Sequence, residues 1–325
     1  MVKLVVAIVT HTDIDGVGAA GLYVYLTGTS EYRLFFTEPF LLDRELRKVL
    51  SAYYEKVVIA DLGVNPPIFS QVLEYLKVLR ENGIPVVWYD HHVWDEEWVR
   101  RVKDVGVELI IDRSTCATGV VAKYTKPARN NVDWVFVKTL VEGICAGDLW
   151  RFDHWLGGFY IRLVRRRDTD SWRKSVVKAF ASGKLFSEEF YEKIVEHVDR
   201  ELRVLSSDLE VVVKNLNGIN LAVAMNNEDV ENSFLASHII GRFDADVVVL
   251  VSIDGKLSFR SRHINVRELA VKLGGGGHPY AAGAKIEIPL LVRILSRFSR
   301  KVLLYYVSQR VSRELESMLV SHGGH

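Results

Sequence analysis

The side chains best suited to chemistry in this 325-residue sequence are carboxylates and imidazoles, and they recur at the ends of apolar runs. The first set is His11-Thr12-Asp13-Ile14-Asp15-Gly16, the second is Asp61, the third is Asp90-His91-His92 and the fourth is Asp148. In an extended segment residues two apart project to one side, so the alternation of His11, Asp13 and Asp15 predicts that all three face one space. An N-capping aspartate before a helix is the plainer reading. Asp15 could serve that role, yet capping accounts for one carboxylate only. So many carboxylates in one crevice would raise one another's pKa values unless something compensated them. Two divalent cations would do so, because Asp13, Asp15, Asp61 and Asp148 together balance two dications. Carboxylate and imidazole donors without thiolates suit Mn²⁺ or Mg²⁺ better than a structural zinc. Metals paired about 3.5–4 Å apart serve in-line displacement at phosphorus. Hydrolysis of a phosphate ester is the chemistry these residues point to.

Positioning such a set requires strands that end on one rim. Buried-strand patterns are predicted at residues 5–9, 32–36, 56–60, 84–87 and 107–111, and the first, third and fourth run into His11, Asp61 and Asp90-His91-His92. Helical patterns fall between and after them at 17–26, 41–50, 68–80, 117–124 and 134–144, the last leading to Cys145-Ala146-Gly147-Asp148. This alternation predicts an α/β fold with a doubly wound parallel sheet, whose ligands bind at the carboxyl ends of the strands. Residues 1–150 read as this metal-binding catalytic domain, 151–209 as a helical connector, and 210–325 as a smaller α/β domain.

The connector holds a helix at 187–206 and the densest basic cluster, Arg162, Arg165, Arg166 and Arg167. A short charge run of this kind reads as a solvated face, with phosphate contact as the sharper alternative. In the last third, strands are predicted at 210–213, 220–224, 246–252 and 256–261, helices at 233–241 and 266–273, and a long helical tail at 290–319. Between the second helix and the tail lies Gly274-Gly275-Gly276-Gly277-His278-Pro279-Tyr280-Ala281-Ala282-Gly283. Four glycines would weaken an ordinary element, so they point to positive φ angles or close backbone approach, and to N–H groups free to cradle an anion.

Composition narrows the class. Hydrophobic content of 49% and charged content of 26% are those of a globular protein, and a net charge of +1 gives no global field for nucleic acid or anionic lipid. Any polyanion must be met by a local patch. Cys116 and Cys145 are too few for a disulfide framework and read as buried small hydrophobes. The apolar start is too short for a membrane span and has no small-residue cleavage site, so a cytoplasmic location is expected.

The segments His11 to Gly16, Asp61, Asp90-His91-His92 and Asp148, in this order, resemble the four motifs of the DHH phosphoesterase superfamily. Phe259-Arg260-Ser261-Arg262 and residues 274–283 resemble its associated C-terminal substrate-binding domain. The resemblance implies that His11, Asp13 and Asp61 hold one metal and that Asp15, Asp61, His91 and Asp148 hold the other, with Asp61 bridging. It assigns His92 to the scissile phosphate or leaving group and Asp90 to orienting the histidines. Arg260, Ser261, Arg262, Gly275, Gly276, Gly277 and His278 would bind substrate. Mn²⁺ is the metal implied first, with Mg²⁺ or Co²⁺ as alternatives.

Length and domain pair resemble the short-oligonucleotide hydrolases of that superfamily, the nanoRNases and phosphoadenosine phosphate phosphatases. The expected activity is hydrolysis of phosphodiester or phosphomonoester bonds in short RNA, linear dinucleotides or a nucleoside 3′,5′-bisphosphate. A cleft between two domains would favour short substrates. The alternatives are a RecJ-like single-strand exonuclease, an inorganic pyrophosphatase, and a nucleic-acid-binding or tRNA-editing module without phosphoesterase activity. No membrane and no obligate protein partner are expected, and a homodimer is left open. One departure stands out: Gly147-Asp148-Leu149-Trp150-Arg151-Phe152 replaces the Asp-Thr-Gly pattern common in nanoRNases, which leaves the subgroup and its substrate open.

Overall fold

Five strands of β-branched and aromatic residues make the amino-terminal sheet in a computed structural model that describes residues 5–128 and 130–322. They are β1 (Val6–His11), β2 (Tyr32–Thr37), β3 (Lys56–Ala60), β4 (Val86–Asp90) and β5 (Glu108–Ile111), all parallel, in the order β2-β1-β3-β4-β5. The chain leaves β1 for one side and returns at β3 on the other, so the strand order reverses between β1 and β3. Ligands of open α/β sheets sit at the carboxyl ends of the strands at such a reversal. His11 ends β1 and Asp61 follows β3 there.

Helices α1 (Ile14–Thr27), α2 (Leu42–Val49), α3 (Phe69–Glu81), α4 (Glu96–Asp104), α5 (Ala117–Tyr124) and α6 (Trp134–Asp148) cover both faces. Ala7, Val9, Val57, Ile59, Val86 and Trp88 pack under α2, α3 and α4. The alternate residues Ile8, Val58 and Val87 are buried on the opposite face, where α1 packs on β1 and β3 and α5 on β4. Nearly every residue of α1 is buried. Its small residues make that tolerable: a Cβ at Gly18 would lie 2.2 Å from Ile144 of α6, and one at Gly21 would lie 2.7 Å from Phe180.

Phe180 belongs to α8 (Asp170–Ala181), which with α7 (Gly157–Leu163) precedes α9 (Glu188–Leu205). α8 packs against α1, and α7 against α6. Two helices assigned from sequence to the connector therefore share the core of the first unit, because Val176, Val177 and Phe180 bury their side chains there. The division into two compact units falls inside α9, between Val195 and Glu196.

The second unit carries β6 (Val211–Leu216), β7 (Ile219–Met225), α10 (Asn232–Phe243), β8 (Val247–Val251), β9 (Lys256–Ser261), α11 (Val266–Lys272), β10 (Gly276–His278), β11 (Ala281–Lys285), α12 (Leu290–Leu295) and α13 (Arg300–His322). Its sheet order is β10-β11-β9-β8-β7-β6, mixed, with only β7 and β8 parallel. Leu221, Val223, Val249 and Phe259 pack under α11 and α13, and Ala222, Ala224, Val248 and Leu250 under α10. The tail is two helices broken between 295 and 300, not one. The glycine segment is an edge hairpin, with Gly276 opposite Gly283 and His278 opposite Ala281, where a loop was expected. Its glycines are needed for backbone proximity, since a Cβ at Gly275 would lie 2.0 Å from the Gly283 carbonyl oxygen.

The cysteines also differ from expectation. Cys116, at the start of α5, and Cys145, in α6, form a disulfide with a Cα separation of 5.2 Å, although 29 residues separate them in sequence. Both are buried, as expected, but the packing of α5 on α6 brings them into the bridging range.

Trp88 shows how the core reaches the rim. It is fully buried, and its indole N–H donates to the Leu62 carbonyl at 3.0 Å, one residue beyond Asp61. Trp88→Phe leaves that carbonyl without its donor, and the expected loss is about 1–3 kcal/mol of stability, measured by denaturant unfolding. A stability equal to the parent's would show that the bond contributes nothing.

Candidate metal centre

The three motif residues at the end of β1 converge through a strand end and a helix start, not through extended alternation. His11 is the last residue of β1, Asp13 is the N-cap of α1 and accepts the Gly16 N–H at 3.1 Å, and Asp15 lies in the first turn of the helix. Capping therefore falls to Asp13 and not to Asp15. The turn requires Gly16, because a Cβ there would lie 2.6 Å from the His11 carbonyl oxygen. Thr10 closes the junction by donating its hydroxyl to the Gly16 carbonyl at 2.7 Å.

Asp15 is fully buried against the start of α5. Its carboxylate accepts the N–H groups of Ala117 at 2.6 Å and Thr118 at 2.8 Å, and the Thr118 hydroxyl at 2.7 Å. Asp61 has a left-handed backbone, φ 56°, a conformation costly for residues other than glycine and concentrated at functional positions. Its N–H is held by the Tyr89 carbonyl at 3.0 Å. Strand β4 continues to Asp90, so the two histidines leave the sheet directly. Asp90 is fully buried, accepts the Trp94 indole N–H at 2.5 Å and lies 2.7 Å from His92 Nδ1. Asp148 is the last residue of α6, which runs four residues past its expected end.

These elements bring the ligand candidates together. His11 Nδ1 is 2.6 Å from Asp13 Oδ2 and 3.4 Å from Asp61 Oδ2. His91 Nε2 is 3.4 Å from Asp61 Oδ1, 3.7 Å from Asp15 Oδ2 and 3.8 Å from Asp148 Oδ2. Among the described residues three groups could hold an ion, each with ligand atoms within 4.8 Å of one another: His11, Asp13 and Asp61; Asp15, His91 and Asp148; and Asp61, His91 and His92. Asp61 turns one oxygen toward His11 and the other toward His91.

The electrostatics call for positive charge. Burial pushes the Asp61 carboxyl well above its ordinary range, and Asp13 and Asp15 push it further. Asp148 is raised well above its range by burial and by Asp15, Asp61 and Asp13, and Asp15 is raised chiefly by burial. Burial disfavours the His11 cation, but Asp13, Asp61 and Glu38 outweigh it and raise its pKa. Burial acts the same way on His92, where Asp90 prevails and raises it. Asp148 Oδ2 is buried without a hydrogen-bond partner. A buried carboxylate oxygen facing others across a few ångströms is what a divalent cation would satisfy, and a donor set of oxygen and imidazole nitrogen fits one.

The sequence reading missed the supports of this rim. Glu38, just after β2, accepts the Thr12 hydroxyl at 2.7 Å, approaches His11 Nε2 at 3.5 Å and pairs with Arg166 at 2.8 Å. Burial opposes its charge, yet these contacts draw its carboxyl down to about 2. Arg173 of α8 is buried, and it donates to the carbonyls of Thr12 at 2.7 Å, Arg165 at 3.1 Å and Arg166 at 2.9 Å. Part of the basic cluster is thereby fastened to the His11–Asp13 turn. No local spacing could have shown this, because Arg173 and Thr12 lie 161 residues apart. Trp150 and Phe152, just past Asp148, both have left-handed backbones and ring centroids 4.7 Å apart.

The substrate-binding candidates lie in the second unit. Ala281 of β11 pairs with Arg260 of β9 on one side and with His278 of β10 on the other. Residues directly opposite share a face, so Arg260 and His278 flank a small side chain about 10 Å apart, two strand spacings. Burial lowers the Arg260 pKa, and its guanidinium donates to Ser233 at 3.0 Å and Ser258 at 3.1 Å. Ser261 accepts the N–H groups of His263 and Ile264, which assigns its hydroxyl to a turn. Arg262 is exposed, and Gly275, Gly276 and Gly277 line the hairpin.

Residues 215–302 match the family model of the DHHA1 domain. The second unit thus carries a match to the DHHA1 domain. The chain's fold is similar to that of the pGpG-specific phosphodiesterase PggH from Vibrio cholerae, with 15% identity over 92% of this chain and 99% of that one and a TM-score of 0.54. It is similar to an exopolyphosphatase-related protein from Bacteroides fragilis, 14% identical over 97% and 93% of the two chains, TM-score 0.52. RecJ from Thermus thermophilus, solved in complex with Mn²⁺, is 14% identical over 95% of this chain and 51% of its own length, TM-score 0.55. At these identities the likeness is one of fold. No curated protein matches the sequence. Among the described residues no helix is long and apolar enough to cross a membrane.

The raised pKa values give a pH dependence with a definite sign. Asp61, Asp148 and His11 bind protons more tightly folded than unfolded, so they contribute stability at acid pH that is lost as pH rises through their folded pKa values. The metal-free protein should therefore melt at lower temperature as pH rises from the ordinary carboxylate range toward neutrality. Added Mn²⁺ should stabilise it more at higher pH and release protons on binding. Melting curves at several pH values, with and without Mn²⁺, check this; a metal-induced shift independent of pH would contradict it.

Proposed function

We propose that this protein is a two-metal-dependent phosphoesterase acting on short oligonucleotides or nucleotides. The observation that carries the reading is Asp61, whose two oxygens face His11 and Asp13 on one side and His91, with Asp15 and Asp148, on the other. Mn²⁺ is the ion proposed, with the first group holding one and Asp15, Asp61, His91 and Asp148 holding its neighbour. When bound, such a pair supplies positive charge for phosphoryl oxygens and lowers the pKa of a water between them. Asp90 holds His92 by Nδ1 and raises its pKa, which favours the protonated ring as a donor to the leaving oxygen.

Substrate class is argued from the surroundings. Phe152 is 40% exposed, and its ring lies against Trp150 only two residues beyond Asp148. Aromatic faces beside a phosphate-cleaving centre suit a nucleobase better than a bare polyphosphate. In the second unit Arg260 and His278 share one face across Ala281, an arrangement suited to a second phosphate. A net charge of +1 gives a long polyanion little to hold, since affinity for long strands scales with the number of phosphates neutralised. A cytoplasmic setting without a membrane or obligate protein partner is part of this proposal.

Two measurements test it. Asp61→Asn keeps a residue type that tolerates the left-handed backbone while removing the charge. It should fold as the parent does and lose Mn²⁺ binding at both sites and at least about 100-fold in kcat/KM. Unimpaired turnover would sink the shared-ligand assignment. Across single-stranded RNA and DNA from two to about thirty nucleotides, kcat/KM should fall with length and depend weakly on salt. Efficiency that rises with length and falls steeply with salt would favour the RecJ-like alternative.

A further inference from the structure

The Cys116–Cys145 bond joins the two helices that support one half of the ligand set. Cys116 is the N-cap of α5, and the next two residues supply the N–H groups that hold Asp15, Ala117 at 2.6 Å and Thr118 at 2.8 Å. Cys145 lies on α6 one helical turn before Asp148, the last residue of that helix. Asp15 and Asp148 meet His91 in a single ligand group. The other group, His11, Asp13 and Asp61, is carried by β1, the start of α1 and the end of β3, none of which bears a cysteine.

Asp15 and Asp148 also repel each other, each contributing to the unfavourable field of the carboxylate cluster. Repulsion between two ligands is relieved when the elements carrying them separate. Here a covalent bond within a residue of one support and within a helical turn of the other opposes that separation. We propose that Cys116 and Cys145 are positioning residues for the Asp15–His91–Asp148 half of the metal centre. Their bond sets the distance between the start of α5 and the end of α6, and with it the cation affinity of that half alone. This inference rests on the two-metal reading above.

The test compares three full-length proteins: the oxidised form, the same protein reduced with a phosphine and desalted, and the Cys116→Ala/Cys145→Ala double variant, which has no thiol to bind metal. In the reduction the disulfide takes two electrons from the phosphine, which becomes its oxide with oxygen from water, and each sulfur gains a proton. Thiol titration confirms the two states. Mn²⁺ titration of each form is then combined with hydrogen exchange at the amides of Ala117 and Thr118 in metal-free protein. In the reduced form and the variant, one of the two Mn²⁺ sites should weaken about 10-fold or more while the other keeps its affinity, and the two amides should exchange faster.

A purely structural staple would lower the melting temperature without separating the two sites, and that result would overturn the inference. So would unchanged affinity and unchanged exchange in both the reduced form and the variant, or two free thiols in protein never exposed to reductant. Failure of the underlying reading looks different. If the oxidised protein binds no Mn²⁺ yet reduction speeds exchange at Ala117 and Thr118, the two-metal reading falls and the support of Asp15 by the disulfide stands.

Discussion

The constraint on which the amino-terminal unit depends is the gathering of four carboxylates, two buried and two partly buried, within reach of one another. Asp13, Asp15, Asp61 and Asp148 converge on two imidazoles at the rim of the sheet, and burial or mutual repulsion raises the last three. A fold that merely needed stability would not gather them, because uncompensated buried charge is among the costlier features a protein can carry. The surrounding structure reads as a set of devices that hold the cluster in place. Gly16 lets α1 turn against His11, Trp88 holds the Leu62 carbonyl, and the α5 amides hold Asp15. Arg173 fixes the turn between His11 and Asp13 from a helix far along the chain.

Much of this was legible in the sequence, for a physical reason. Parallel strands buried on both faces show as short β-branched runs, and the residues that end them are read with their motifs intact. Hence the five strands, the α/β class and the side chains that cluster at the rim of the first unit are legible in the sequence alone. Where the expectation failed, the competing effect was tertiary. Helix α1 begins at Ile14 because Asp13 caps it, so Asp15 reaches the site from a helical turn and not from an extended chain. Helix α6 runs on to Asp148 because its last turns are buried against α7.

What the sequence concealed were contacts between distant positions. Cys116 and Cys145 looked like two separate apolar residues because nothing local records that α5 and α6 lie side by side. Arg173 carries no local signal that sets it apart, yet it is buried and gives its donors to carbonyls of two loops. The glycine run is expected to supply positive φ angles or close backbone approach, and the approach found is between the strands of its own hairpin. Gly274 and Gly277 have positive φ, while Gly275 is needed because its neighbour's backbone leaves no space for a side chain.

The departure in the fourth motif acquires a meaning from the backbone. Leu149-Trp150-Arg151-Phe152 follows the ligand Asp148, and both aromatic residues adopt left-handed angles that bulky side chains avoid. Such a conformation persists only where its surroundings impose it: here the N–H groups of Arg151 and Phe152 both donate to the Ala146 carbonyl, at 3.0 and 2.9 Å. The chain thus turns back on the end of α6, with the two rings in contact within four residues of Asp148. On the proposed reading, two aromatic faces this close in sequence to a carboxylate of the ligand set would offer a nucleobase a stacking surface, which is the ground for proposing a nucleotide over a polyphosphate as substrate.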